Sequence, residues 1–181
     1  KYAVATVNGT AALHMALKLS GVENNTEVIT QSLSFIATSN SIKYCGGEPV
    51  FLDVSPLTLG LSPQRLEIFL EEFGDIREDG CCWNKLSNRK IIACLPMHTF
   101  GFPVELEKIQ KICRKYNIRL VEDAAESLGS FYKEKHTGSF GDISALSFNG
   151  NKIITTGGGG TILTNNAEIA SQVKHLTTTA R

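Results

Sequence analysis

Two rhythms of apolar and polar positions alternate along this chain. Short apolar or alternating runs predict strands, and apolar residues three and four apart predict helices. Tyr2 to Val7 is rich in strand formers, and Gly9-Thr10 introduces a helix over Ala11 to Leu19. Val28 to Ser34 predicts a strand, Ile36 to Tyr44 a helix stopped by Cys45-Gly46-Gly47, and Pro49 to Val54 a third strand. Ser62-Pro63 supplies an N-cap and a first-turn proline ahead of Leu66, Phe69 and Leu70. The polar stretch Gly74 to Arg89 predicts an irregular surface excursion. Ile91 to Pro96 is an apolar strand, and Leu106, Ile109, Ile112 and Cys113 give a helix over Val104 to Tyr116 its apolar face. Ile118 to Glu122, Asp142 to Phe148 and Thr161 to Thr164 are the remaining strands, before a last helix over Ala167 to Leu176.

This alternation predicts an α/β three-layer sandwich, a mostly parallel sheet with helices on both faces. Ligands in such sheets bind beyond the carboxyl ends of the strands, so the loops after strands are where chemistry is expected. Composition narrows the class. Hydrophobic residues make up 42%, enough for a packed core. Eighteen basic and eighteen acidic residues cancel, which argues against general electrostatic binding of nucleic acid or anionic membrane. No apolar run approaches the roughly 20 residues of a membrane-spanning helix. The five cysteines, Cys45, Cys81, Cys82, Cys94 and Cys113, have no disulfide-framework spacing. No CxxC pair occurs, and Cys94 and His98 are four apart on a strand, so no metal site is expected. These traits predict a soluble, cytoplasmic domain.

Three stretches carry candidate chemistry. In Asn8-Gly9-Thr10-Ala11 a small turn leads from strand to helix, where free N–H groups and the helix dipole suit a phosphate. It matches neither a dinucleotide nor a Walker pattern, and an ordinary strand–helix turn is the plainer alternative. In Val121-Glu122-Asp123-Ala124-Ala125-Glu126 the acids end an apolar strand, where a carboxylate is costly unless paired. Asp123 either holds a cationic group of a ligand or caps a following turn. In Ser144 to Lys152 a lone lysine follows an apolar strand, hemmed in by small residues and followed by Gly157-Gly158-Gly159-Gly160. Burial would free its lone pair as a nucleophile, although a lone lysine is more often a solvated surface group. The glycines permit close backbone approach to a flat ligand or a neighbouring strand.

Phosphate cradle, acidic partner for a cationic ring nitrogen and amine nucleophile are the parts a pyridoxal phosphate site requires. Their order and wording resemble the DegT/StrS family of pyridoxal phosphate-dependent sugar-nucleotide aminotransferases, whose large domain has the fold-type-I transferase architecture. The resemblance runs through the whole chain and is strongest over Asn8 to Leu17, Ser34 to Val54, Glu122 to Gly129 and Thr137 to Gly160. It implies that Lys152, in a Ser-Phe-x-x-x-Lys pattern, links covalently to the cofactor and then shuttles the proton. Asp123 matches the carboxylate that keeps the pyridine nitrogen protonated. Gly9, Thr10 and Ala11 match the phosphate-binding turn, with Ser147 adding a hydroxyl, and Phe35 matches the aromatic stacked on the ring. Glu126 stands near the ring's phenolic oxygen, where the family often has Gln. Asn151 and His98 take substrate-side or structural roles. The family's sugar dehydratases have His in place of the lysine, so Lys152 implies transamination.

The implied reaction takes an amino group from an amino acid, usually glutamate, and gives it to a nucleotide-linked keto sugar. The wording of Ile36 to Asn40, Tyr44 to Pro49 and Leu176 to Arg181 is similar to the branch that aminates C4 of UDP-linked 4-keto-6-deoxy sugars for legionaminic-type acids and surface glycans. A non-catalytic pyridoxal phosphate-binding module of the same fold is the alternative. Against the family's pattern, residues 1–181 are expected to be the central part of the large domain, without an N-terminal substrate segment or a C-terminal small domain. The resemblance also implies a homodimer.

Overall fold

The computed structural model describes residues 1–178. Thr179, Ala180 and Arg181, which end the last stretch of the sub-branch resemblance, lie outside the described residues. In chain order the elements are β1 (Tyr2–Thr6), α1 (Gly9–Leu19), β2 (Thr26–Gln31), α2 (Ile36–Tyr44), β3 (Glu48–Leu52) and α3 (Pro63–Phe73). There follow β4 (Gly74–Ile76), β5 (Cys82–Asn84), β6 (Arg89–Leu95), a 3-10 turn (Thr99–Gly101), α4 (Leu106–Lys115) and β7 (Arg119–Asp123). The chain continues through β8 (Phe131–Tyr132), β9 (Lys135–His136), β10 (Ile143–Ser147), β11 (Gly160–Thr164) and α5 (Ala167–Thr177).

The main sheet runs β1-β11-β10-β7-β6-β2-β3. Neighbours from β10 through to β3 are parallel, and β11 is antiparallel to both β10 and β1. Two cores flank the sheet. Ala12, Leu13, Ala16 and Leu17 of α1 and Val173 of α5 pack on one face. Leu66 and Leu70 of α3 and Ile109, Ile112 and Cys113 of α4 pack on the other. Strand residues divide by the two-residue period, Val28 to the first core and Ile29 to the second. In β6 the pairing skips Ile92 between Glu27–Ile91 and Val28–Ala93, and this bulge shifts the alternation.

Several strand and helix ends shift by one to three residues, and two differences from expectation have clear reasons. Helix α1 begins at Gly9, because the Asn8 side chain caps it by accepting from Ala11 N–H at 2.7 Å. Gly74 to Arg89 is no irregular excursion. It folds into the β4–β5 hairpin, and β5 then pairs with β6, so that Cys82 and Asn84 are buried. Asn84 donates to the buried Glu27 carboxylate at 2.8 Å, which explains polar residues in a buried strand.

Candidate cofactor site

At the carboxyl ends of the parallel strands lies a cavity of about 260 Å3. It is lined by Gly9, Thr10, Phe35, Asp123, Glu126, Ser147, Asn151 and Lys152, together with Met97. Segments far apart in sequence therefore converge where an α/β sheet places its ligands.

Gly9 opens the helix at one wall. A Cβ there would stand 2.7 Å from Ser147 Cβ, so only glycine lets the helix start seat against the end of β10. Gly160 has the same role one strand over, since a Cβ would meet the Asn8 carbonyl at 2.6 Å. The four-glycine run thus serves backbone approach in part, at its last member. First-turn N–H groups have no carbonyl within the helix to bond, and the helix dipole adds positive potential. Beside the Ser147 hydroxyl this makes an anion cradle of Gly9 and Thr10. Ala11 falls outside it: its N–H is taken by the Asn8 side chain and it does not line the cavity, which corrects the expectation.

Asp123 ends β7 and is 2% exposed. Thr38 Oγ1 donates to Oδ2 at 2.7 Å and Ala125 N–H to Oδ1 at 3.2 Å. Burial pushes its carboxyl above the usual range, against the pull of those hydrogen bonds. The Ala125 N–H bond to Oδ1 caps the turn that follows the strand, although no helix continues from that turn. A cation within reach in the cavity would offset the burial cost and favour the carboxylate form.

Lys152 reaches the cavity from the loop after β10, its side chain only 11% exposed. Its Nζ lies 3.3 Å from Glu126 Oε1 and 5.5 Å from the centroid of the Phe35 ring. The other oxygen of Glu126 accepts from Phe100 N–H at 3.0 Å. Asn151 Oδ1 accepts from the Asn149 amide at 3.0 Å, a bond within the same loop.

His98 is not at the cavity wall. It is fully buried, and its Nε2 lies 3.1 Å from Glu122 Oε2 while Val104 N–H donates to Nδ1 at 3.3 Å. This network assigns the proton to Nε2. Of the two roles expected for His98 the structure gives the structural one. Glu122 also accepts from the N–H groups of Gly138, Phe140 and Gly141 and from the Ser144 hydroxyl. Burial alone would raise its carboxyl, but the His98 bond and the backbone donors outweigh burial and hold it below the usual range.

Three supporting residues escaped sequence reasoning. Thr38 holds Asp123. Met97 Sδ accepts from Phe35 N–H at 3.4 Å. Gln31, fully buried, accepts from Leu61 and Met97 N–H and donates to Leu33 O and Thr99 Oγ1, tying three post-strand loops together. Thr38 lies within the Ile36 to Asn40 wording but drew no role of its own there, and Gln31 and Met97 lie in no stretch quoted for the resemblance. Each acts through a partner remote in sequence.

The donor set fits a flat ring with a cationic nitrogen at one end and a phosphate at the other. The helix start and Ser147 suit the phosphate, Asp123 the protonated nitrogen, Phe35 a ring face and Lys152 a carbonyl carbon. A three-layer α/β sheet with this constellation at its strand ends has the architecture of the fold-type-I pyridoxal phosphate-dependent transferases.

The sequence profile of the DegT/DnrJ/EryC1/StrS aminotransferase family matches residues 1–181. Among curated relatives, a GDP-perosamine synthase of Caulobacter vibrioides is 39% identical over 97% of this chain and 43% of its own length. The crystal structure of a DegT DnrJ EryC1 StrS aminotransferase from Brucella abortus superimposes with a TM-score of 0.85 at 29% identity, over 97% of this chain and 44% of that one. NtdA from Bacillus subtilis, solved with bound cofactor PMP, has a TM-score of 0.80 at 29% identity, over 97% of this chain and 36% of its own. The chain belongs to the DegT/DnrJ/EryC1/StrS aminotransferase family, and its cofactor is pyridoxal phosphate. It spans about two fifths of the length of the curated relative.

Proposed function

We propose that the full-length protein is an aminotransferase that moves an amino group from glutamate to a nucleotide-linked keto sugar. The observation that carries this is the convergence of Lys152, Asp123, Ser147 and the Gly9–Thr10 helix start on one cavity. When bound, pyridoxal phosphate supplies an electron sink and carries the amino group between donor and acceptor. Lys152 anchors it and moves the proton as base and acid in both halves. Asp123 holds the proton on the ring nitrogen. Gly9, Thr10 and Ser147 would hold the phosphate, Phe35 would cover one ring face, and Glu126, paired with Lys152 Nζ before the cofactor binds, would stand beside the phenolic oxygen. Asn151 borders the substrate side.

For the acceptor, the reading is C4 of a 4-keto-6-deoxy sugar carried by UDP, in synthesis of surface glycans. The relative's name carries GDP instead, so the nucleotide is the point to test. Residues 1–181 form the central part of the cofactor-binding domain of a cytoplasmic homodimer. Among the described residues no helix is long and apolar enough to cross a membrane.

One experiment tests both levels. The full-length protein is loaded with pyridoxal phosphate, reduced with borohydride and mapped by peptide mass. The expected adduct is on Lys152, and an adduct elsewhere, or none, refutes the assignment. Unreduced enzyme then receives glutamate with UDP-, GDP- or TDP-linked 4-keto-6-deoxy sugar. Formation of 2-oxoglutarate and amino sugar with the UDP substrate is expected. Preference for another nucleotide overturns the UDP reading, and cofactor on Lys152 without any amino transfer overturns the catalytic one.

A further inference from the structure

We propose that Thr38 is a positioning residue: its buried hydroxyl, set between the Asp123 carboxylate and the Met97 thioether, fixes how Asp123 is presented to the cofactor's ring nitrogen. The inference rests on the cofactor reading above. Thr38 lies in the first turn of α2 and is fully buried. A threonine hydroxyl inside a helix ordinarily bonds a carbonyl of the preceding turn. This one instead reaches across to β7 and donates to Asp123 Oδ2 at 2.7 Å. A hydroxyl has one proton, so the Met97 sulfur 3.9 Å away is a packing neighbour rather than a second acceptor.

Two donors on different oxygens define the plane of the Asp123 carboxylate. Ala125 N–H holds Oδ1 and Thr38 holds Oδ2. Each oxygen keeps a lone pair for a donor arriving from the cavity. With Thr38 removed, one backbone bond at 3.2 Å remains, and the broad terminal torsion of an aspartate lets the group turn. The same helix end also sets the stacking ring. Phe35 is the N-cap residue of α2, its N–H bonds Met97 Sδ, and its carbonyl accepts from Thr38 N–H at 3.0 Å. Thr38 therefore joins the carboxylate that meets the ring edge to the segment that carries the aromatic meeting its face. A mispositioned carboxylate binds the protonated ring nitrogen less well, and the loss appears in cofactor affinity.

The test is a double-mutant cycle on the full-length protein. Apo forms of wild type, Thr38→Val, Thr38→Ser, Asp123→Asn and Thr38→Val/Asp123→Asn are titrated with pyridoxal phosphate, binding being read by absorbance and by the borohydride-trapped adduct on Lys152. Thr38→Val keeps the shape and loses the donor, and a weakening of about tenfold is expected for a hydrogen bond to a charged group. Thr38→Ser keeps the hydroxyl and should stay within about twofold of wild type. In the Asp123→Asn background Thr38→Val should cost nothing further. Wild-type affinity in Thr38→Val overturns the inference, as does a loss that persists undiminished beside Asp123→Asn. Thermal unfolding of each apo form checks the fold, and Thr38→Ala replaces Thr38→Val if the latter does not fold. Failure of wild type to form an adduct on Lys152 defeats the cofactor reading instead.

Discussion

Replacing Glu122 by Gln should destabilise the protein more than an ordinary core polar substitution. The carboxylate is fully buried. Its Oε2 accepts from Gly138 N–H at 2.8 Å and from His98 Nε2 at 3.1 Å. Its Oε1 accepts from Phe140 N–H at 2.7 Å, Gly141 N–H at 2.6 Å and the Ser144 hydroxyl at 3.2 Å. A glutamine has one carbonyl and one NH2, so its NH2 must face one of these donor sets. Either way at least one buried backbone N–H loses its acceptor, and on the Oε2 side His98 also faces a donor. An unmet buried donor costs about 1–3 kcal/mol, more when the lost bond was to a charge, so the total is about 2–5 kcal/mol. At about 2–4 °C per kcal/mol for a domain of this size, the melting temperature falls by roughly 4–20 °C. The pH dependence carries the sign. The folded-state carboxyl lies below its usual range, so its contribution is present at neutral pH and is lost as the medium is acidified through the folded-state value. Urea unfolding followed by circular dichroism at neutral and acidic pH measures both effects. A Glu122→Gln protein within about 0.5 kcal/mol of wild type at neutral pH refutes the reasoning. So does a stability gap that fails to narrow on acidification.

Gly9→Ala forces a Cβ to 2.7 Å from Ser147 Cβ, so the helix start must move off the end of β10. Cofactor affinity should drop at least about tenfold while Lys152 is untouched, and titration showing wild-type affinity would exclude Gly9 from the cradle. Burial pushes the thiols of Cys45 and Cys82 up to about 11, and the Cys113 contact followed by burial raises Cys94 well above its usual range. A disulfide reagent reacts with thiolate, so at neutral pH native protein should label at Cys81 first and at the buried four only after unfolding. Fast labelling of Cys82 in the native state would contradict the β5 placement.

Legibility in the sequence followed the distance over which each determinant acts. The strand–helix alternation, the Ser62–Pro63 start of α3 and the apolar face of α4 rest on neighbours within one or two turns, and each was readable. The β4–β5 hairpin was not. Its strands are three residues each and its buried members include Asn84, whose place depends on Glu27, 57 residues earlier. Most polar residues of the stretch are at the surface, and no local pattern separates the one buried amide, Asn84, from them.

The same division runs through the site. Groups that face the cavity, Gly9, Asp123, Ser147 and Lys152, sit in short stretches whose residue types are constrained together by the strand end that carries them. Groups that hold those in place bond across the fold: Thr38 to Asp123 over 85 residues, Gln31 to Met97 over 66. His98 shows why the distinction matters. By residue type it resembles a catalytic group, yet its two ring nitrogens are committed to Glu122 and to Val104 N–H beneath the cavity. Asn8 shows the converse. Its side chain takes the Ala11 N–H that the phosphate turn was expected to offer, which leaves the cradle to Gly9, Thr10 and Ser147. A cofactor site of this kind is therefore written twice in a chain. The contacting residues form contiguous words, and the geometry they need is held by scattered single residues whose identity makes sense only once the sheet order has brought their partners beside them.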